Sequence, residues 1–118
     1  MTSCFPFKVN FVNEDEQMYQ IVADFNLPDL AAYKALFNMY NSPAGLISLV
    51  DITMLIIEDN APALLDNMDF DEEGYQLDMH VDSENNLQQL ISIVCPTYQD
   101  LKELEIYVRK TAGRSSSF

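Results

Sequence analysis

Residues 68–81, which read MDFDEEGYQLDMHV, alternate apolar and polar side chains on both sides of a glycine. A period of two indicates β-strands with one face toward a core and the other toward solvent. The polar run 71–74 predicts the turn, because Gly74 can adopt a positive φ without a steric clash. We therefore predict a β-hairpin here. Its apolar face comprises Met68, Phe70, Tyr75, Leu77, Met79 and Val81, and its polar face comprises Asp69, Asp71, Gln76, Asp78, His80 and Asp82.

A second hairpin is predicted nearer the start of the chain. Residues 5–12 and 18–25 both alternate apolar and polar side chains, and the polar run 13–16 between them suits a turn.

Two helices are predicted between the hairpins. Residues 29–40 carry apolar side chains three or four positions apart. Residues 46–58 are apolar enough for a buried strand, but their length and the recurrence of polar residues on one helical side favour a helix. Ser42 and Pro43 suit its N-cap and first position. A short turn or helical extension over 61–67 leads into the hairpin.

Two more helices are predicted after residue 82. Ser83 suits an N-cap, and Pro96 should end that helix. Thr97 with Asp100 resembles a capping box for the last helix, which Gly113 should stop. The side chains expected to face inward from the last helix are Leu101, Leu104 and Val108.

These elements predict a single α+β domain over residues 1–113, with a disordered Ser-rich tail over 114–118. The order is ββααββαα. Burying four strands under four helices is simplest if the two hairpins form one antiparallel sheet covered on one face by helices.

The charge balance narrows the choice of partners. The net charge is −13, and the 12 carboxylates between Lys34 and Lys102 have no lysine or arginine among them. Nucleic acid and anionic membranes need a cationic surface, so we expect neither as a direct partner. An acidic surface can serve solubility alone, or it can attract a basic protein.

The lack of a membrane-spanning run and of signal-peptide features predicts a cytoplasmic protein. No apolar run reaches the roughly 20 residues of a membrane span, and the first ten residues lack the regions of a signal peptide. Cys4 and Cys95 are the only cysteines, and we expect neither a disulfide framework nor a zinc site from them. We predict that Cys95 is buried and packs in the core.

No catalytic pattern stands out, and we predict neither an enzyme nor a cofactor. Asp69, Asp71 and Glu73 before Gly74 resemble part of a calcium-binding EF-hand loop, but His80 stands where a bidentate Glu is needed and the flanks alternate as strands. His80 between two aspartates suits a solvent-facing histidine better than a metal ligand. Asp69 and Asp78 could lie opposite each other as glycosidase carboxylates do, yet nothing indicates a sugar cleft.

The order of elements resembles a family of bacterial toxin-immunity proteins, immunity protein family fifty-one. The resemblance rests on the Phe5-Pro6-Phe7 start, the Phe70-Asp71-Glu72-Glu73-Gly74 run, the strand and acidic break at 79–83, and two closing helices. The aromatic cluster expected between the first two helices is only partly present, and the strand after Gly74 carries more charge.

This resemblance implies an inhibitor that binds and neutralises a cognate toxin domain, often a nuclease of a contact-dependent system. Because nucleases are commonly basic, carboxylates can stand in for phosphates in their clefts. The predicted partner-binding residues are Asp69, Asp71, Glu72, Glu73, Asp78, His80 and Asp82. A second acidic set of lower rank consists of Asp51, Glu58 and Asp59.

Two other classes remain open. One is a small oligomerising or adaptor domain whose acidic face only maintains solubility, although no feature of the sequence specifically indicates a homo-oligomer. The other is a ligand-binding or enzyme domain with a pocket between hairpins and helices.

Overall fold

The computed structural model describes residues 4–13, 18–43 and 45–115. It contains a four-stranded antiparallel sheet and helices on one of its faces. The elements are β1 (Lys8–Asn13), β2 (Met18–Asp24), a 3₁₀ turn (Pro28–Leu30), α1 (Ala31–Asn38), α2 (Leu49–Asn60), a second 3₁₀ turn (Pro62–Asn67), β3 (Met68–Glu73), β4 (Gln76–Val81), α3 (Glu84–Gln99) and α4 (Leu101–Ser115). The predicted α+β class and element order are confirmed.

Both predicted hairpins form, and they share one sheet. The strand order is β1-β2-β4-β3, so β2 and β4 are central and β1 and β3 are the two edges. In the centre, Ile21 pairs with Met79 and Tyr19 with Val81. These pairs belong to the inner face of the sheet, which is buried under the helices.

Two helices lie directly against the sheet. α2 contacts β3 and α3 contacts β4, while α4 packs on α1, α2 and α3. α2 is indeed a helix rather than a strand. It buries apolar side chains around much of its circumference, as expected for an element enclosed between a sheet and other helices. In the described part of the chain, no helix is long and apolar enough to cross a membrane.

An aromatic cluster forms the centre of the core. The ring of the fully buried Tyr98 lies 4.8 Å from that of Phe7 and 6.2 Å from that of Phe25. Thr53 donates to the Leu49 carbonyl, so the Tyr98 hydroxyl donates to the Thr53 hydroxyl over 2.8 Å. Burial raises the pKa of Tyr98 far above its usual value. The cluster therefore joins α2, α3 and the residue that precedes β1.

The predicted start of α2 at Ser42 and Pro43 is wrong. Ser42 forms an isolated β-bridge with Gly45, and the N-cap is Ser48, whose hydroxyl accepts from the Asp51 amide. Both serines satisfy the local preference for an N-cap, so the choice between them depends on tertiary contacts.

The predicted end of α3 at Pro96 is also wrong, because the helix continues to Gln99. Proline cannot donate the hydrogen bond that residue 96 would make to residue 92. Complete burial of Tyr98 and its hydrogen bond to Thr53 offset that loss. Thr97 consequently lies inside α3 rather than capping α4, and the Asp100 carboxylate accepts from the Lys102 amide instead.

The last helix differs from the prediction at both ends. Leu104 and Val108 are buried as expected, whereas Leu101 is 39% exposed. Gly113 does not stop the helix, which continues to Ser115 and so includes the first two residues of the predicted tail. Residues 116–118, and the predicted turn residues 14–16, lie outside the described part of the chain.

The structure joins Cys4 to Cys95 in a disulfide, which the sequence analysis did not predict. Cys95 is buried, as expected, but so is Cys4. Phe7 packs against Tyr98, one turn beyond Cys95 in α3, and this contact brings the start of the chain to the helix. The bond closes a loop between cysteines that are 91 positions apart.

Candidate functional site

The β3–β4 hairpin has a tighter turn than predicted. Only Gly74 and Tyr75 connect the strands, and Glu73 pairs with Gln76. Gly74 has a φ of 60°, which suits the first central position of a two-residue hairpin turn. The run 71–73, predicted as turn, therefore belongs to β3 and alternates between the two faces of the sheet.

Four carboxylates share the outer face of the β3–β4 hairpin. Asp69, Asp71 and Glu73 on β3 are exposed, and Asp78 on β4 is half-buried. We call these four residues the carboxylate strip. Among the described residues, ion pairs form between Arg109 and Glu105 and between Lys110 and Asp59, and neither reaches the carboxylate strip.

The strip is densest where Asp71 lies directly opposite Asp78. Opposed residues in an antiparallel pair have β-carbons about 5 Å apart, and like charges at this spacing destabilise a sheet. The predicted opposition of Asp69 and Asp78 is wrong by two positions, since Asp69 pairs with His80. The fold thus keeps two carboxylates at a position where a neutral pair would be more stable.

The neighbouring strands supply residues that the sequence analysis did not include. Gln20 on β2 donates to Asp78 over 2.9 Å, and Asp24 lies in the same row as Gln76 and Glu73. Alternation in β2 already placed Gln20 and Asp24 on one face. Only the strand order, which the sequence did not provide, brings that face beside β4.

Lys8 lies on β1, in the same row of the sheet as Asp78. It pairs with Val22, which in turn pairs with Asp78. Two strand spacings therefore separate Lys8 from Asp78, roughly 10 Å. At that distance between exposed groups, salt screens most of the attraction. The strip keeps most of its negative potential.

Glu72, predicted as a turn residue that contacts the partner, does not belong to the outer face. It lies in the inner-face row with Leu77 and is half-buried. One carboxylate oxygen accepts from the Ser48 hydroxyl over 2.6 Å, and the other accepts from the Leu49 amide over 2.8 Å. Glu72 thus satisfies the positive N-terminal end of α2 and ties that helix to β3.

Replacing Glu72 with Gln should lower the free energy of unfolding by about 2 kcal/mol. The amide oxygen can still accept from the Leu49 amide, but the NH₂ group cannot accept from the Ser48 hydroxyl, and a charge-assisted bond would be lost. Urea unfolding measures the change. Glu73→Gln is the matched control, since it removes the same charge from the adjacent, exposed position. Equal destabilisation by both variants would contradict the capping role.

The other predicted contact residues have different surroundings. His80 is half-buried, between Asp69 and Gln20 in its row. Asp82 follows the end of β4 and accepts from the Asn86 side chain over 2.6 Å. The second acidic set is exposed on α2, at its start (Asp51) and near its end (Glu58 and Asp59). It is therefore two separate patches rather than one surface.

The described residues include no group of three His, Cys, Asp or Glu side chains that could hold a metal ion. β-strands rather than helices flank the Asp69 to Gly74 run. A recess of 380 Å³ lies between α1 and α4, away from the carboxylate strip. Its lining is mainly apolar, with Leu36, Met39 and Leu101, and suits an apolar group rather than acid–base chemistry.

Comparison with known proteins identifies no relative. No family model, no curated protein and no solved structure matches the chain.

Proposed function

We propose that this chain is an immunity protein, which binds a basic toxin domain and neutralises it through the carboxylate strip. The observation that carries the proposal is the Asp71–Asp78 pair on the outer face, where two like charges oppose each other. Opposed like charges cost stability in the free protein. A cation supplied by a partner would turn that repulsion into attraction.

The proposed contact residues are those on the outer face of β3 and β4. The set consists of Asp69, Asp71, Glu73 and Asp78, with His80 beside them. Glu72 is left out because its carboxylate binds the N-terminus of α2. Asp82 becomes a peripheral contact, since its carboxylate already accepts from Asn86.

The proposed partner is the C-terminal domain of a toxin, most simply a nuclease. Such a domain carries lysine and arginine where it binds phosphates, and carboxylates spaced along a strand can occupy the same positions. In this proposal the chain works by binding, without catalysis and without a cofactor. It contacts neither nucleic acid nor a membrane.

The proposed compartment is the cytoplasm, where a nuclease toxin would reach its substrate. The Cys4–Cys95 bond is of a kind that persists more readily in oxidising compartments. Burial of both cysteines in the core protects the bond from reductants.

The test is a titration of the full chain with the basic product of the adjacent gene at low and at moderate salt. We expect a tight complex whose association rate falls at least tenfold between about 20 and 200 mM salt, because screening removes the steering field. An unrelated basic nuclease is the control and should bind weakly. Equal binding of both proteins, or no binding at either salt, would contradict the proposal.

A second candidate function is an oligomerising domain, in which the carboxylate strip only maintains solubility. It is favoured by the exposed apolar side chains Val9 and Phe11 on β1. Self-association without any heterologous partner would support this candidate over the first.

A further inference from the structure

The two edges of the sheet differ in how they are protected against pairing with another strand. β3 carries Asp69, Asp71 and Glu73 on the outer face, and charged side chains of this kind discourage pairing at an open edge. Among the described residues β1 pairs with β2 alone, and the ladder between them shifts register between Phe11 and Asn13. Its other row of backbone donors and acceptors faces away from the sheet.

β1 also exposes apolar side chains beside its open edge. Val9 is 39% and Phe11 49% exposed, although their partners Ile21 and Tyr19 are on the inner face. The Phe11 ring packs on Tyr19, with 4.9 Å between ring centroids. The sheet contacts of the helices are concentrated on β3 and β4, so β1 extends the apolar inner face beyond its helical cover.

The residues of β1 and those directly after it differ in charge, since Glu14, Asp15 and Glu16 follow the strand in the sequence. Residues 4–13 contain Lys8 and no carboxylate, in a protein with a net charge of −13. A second copy of this chain repels the first over most of its surface. A copy that approaches along residues 8–12 therefore meets no carboxylate on β1 itself.

The pattern of β1 is self-complementary around Asn10. If two copies pair antiparallel with a twofold axis at Asn10, Val9 of each faces Phe11 of the other on the inner face, and the two Asn10 amides meet on the outer face. The two Lys8 residues then lie about 14 Å apart along the strands. Apolar groups meet apolar groups, and the like charges remain apart.

We propose that β1 is the interface of a homodimer, in which two sheets join edge to edge through antiparallel β1 strands. Such a contact is isologous and closes at two copies. In the joined sheet the β3 edges are outermost, so both carboxylate strips remain free. The dimer is small in area and forms in the micromolar range. The inference is independent of the proposed toxin.

Sedimentation velocity of the full chain, from low micromolar to submillimolar concentration, tests the inference. We expect a monomer–dimer equilibrium that strengthens several-fold when salt is raised, since screening weakens the repulsion between acidic chains. Phe11→Lys should weaken the dimer by at least tenfold, because it places a charge in the apolar contact. Val9→Lys serves as the second variant if Phe11→Lys unfolds, which circular dichroism reports.

Ile106→Lys is the matched control. Ile106 is 46% exposed on α4, so the substitution adds the same charge at an equally exposed apolar position away from β1. Dimerisation should survive it. A chain that stays monomeric at every concentration and salt would overturn the inference. Equal sensitivity to the α4 and β1 substitutions, or a dimer unaffected by both β1 variants, would also overturn it.

Discussion

Reduction of the Cys4–Cys95 bond is expected to lower the free energy of unfolding by about 4 kcal/mol. The bond joins positions 91 apart, so it removes a large share of the conformational freedom of the unfolded chain. A domain of this size has a total stability of roughly 5–15 kcal/mol, so the loss is a substantial part of the whole.

Urea unfolding of the oxidised and reduced protein measures this effect without changing the sequence. The reduced protein should also show a larger dependence of unfolding free energy on urea, because its unfolded state is less compact. The Cys4→Ala, Cys95→Ala double variant is the control and should not respond to reductant. Identical unfolding midpoints for the oxidised and reduced protein would contradict the expectation.

Simultaneous replacement of Asp69, Asp71 and Asp78 by alanine is expected to weaken toxin binding by about 3 kcal/mol, more than a hundredfold in Kd. In a desolvated contact each carboxylate pairs with a lysine or arginine of the toxin. Removing the carboxylate leaves that cation buried and unpaired. The stability of the free protein should change by only about 1 kcal/mol. Relief of the Asp71–Asp78 repulsion offsets loss of the Gln20 hydrogen bond.

The matched control for this variant replaces Asp51, Glu58 and Asp59 by alanine. It removes the same three charges, but from exposed positions on α2. Calorimetric titration with the toxin domain compares the two. Unchanged affinity of the strip variant would refute the assignment of the contact set. An equal loss of affinity in both variants would show that the net charge of the chain, rather than the carboxylate strip, determines binding.

The fold could be predicted largely because its strands alternate cleanly and its helices keep an apolar stripe. The length of the 46–58 segment and the recurrence of its polar residues favoured a helix over a strand, and α2 confirms it. Errors arose where a local signal was overridden by distant contacts. Pro96 and Gly113 are ordinary helix stops, yet α3 continues past the first and α4 past the second. Tyr98 and Thr53 provide the compensating contact in α3.

The faces of the hairpin residues were predicted correctly where the alternation continues and wrongly at the turn. Asp69, Asp71 and Asp78 face outward together, as the alternation required. Glu72 was misplaced because residues 71–74 were taken as the turn. Continuing the alternation from Phe70 would have placed Glu72 on the inner face. Its contact with Ser48, and the pairing of Cys4 with Cys95, join distant parts of the chain and leave no signal in local spacing.

The measurement that tests the central claim most directly is a nuclear magnetic resonance titration of the ¹⁵N-labelled chain with the toxin domain. If the carboxylate strip is the binding surface, the largest amide shifts should lie in β3 and β4, around Asp71 and Asp78. The α1–α4 recess and the β1 edge should change little. Shifts centred on either of those surfaces, with β3 and β4 unaffected, would contradict the account.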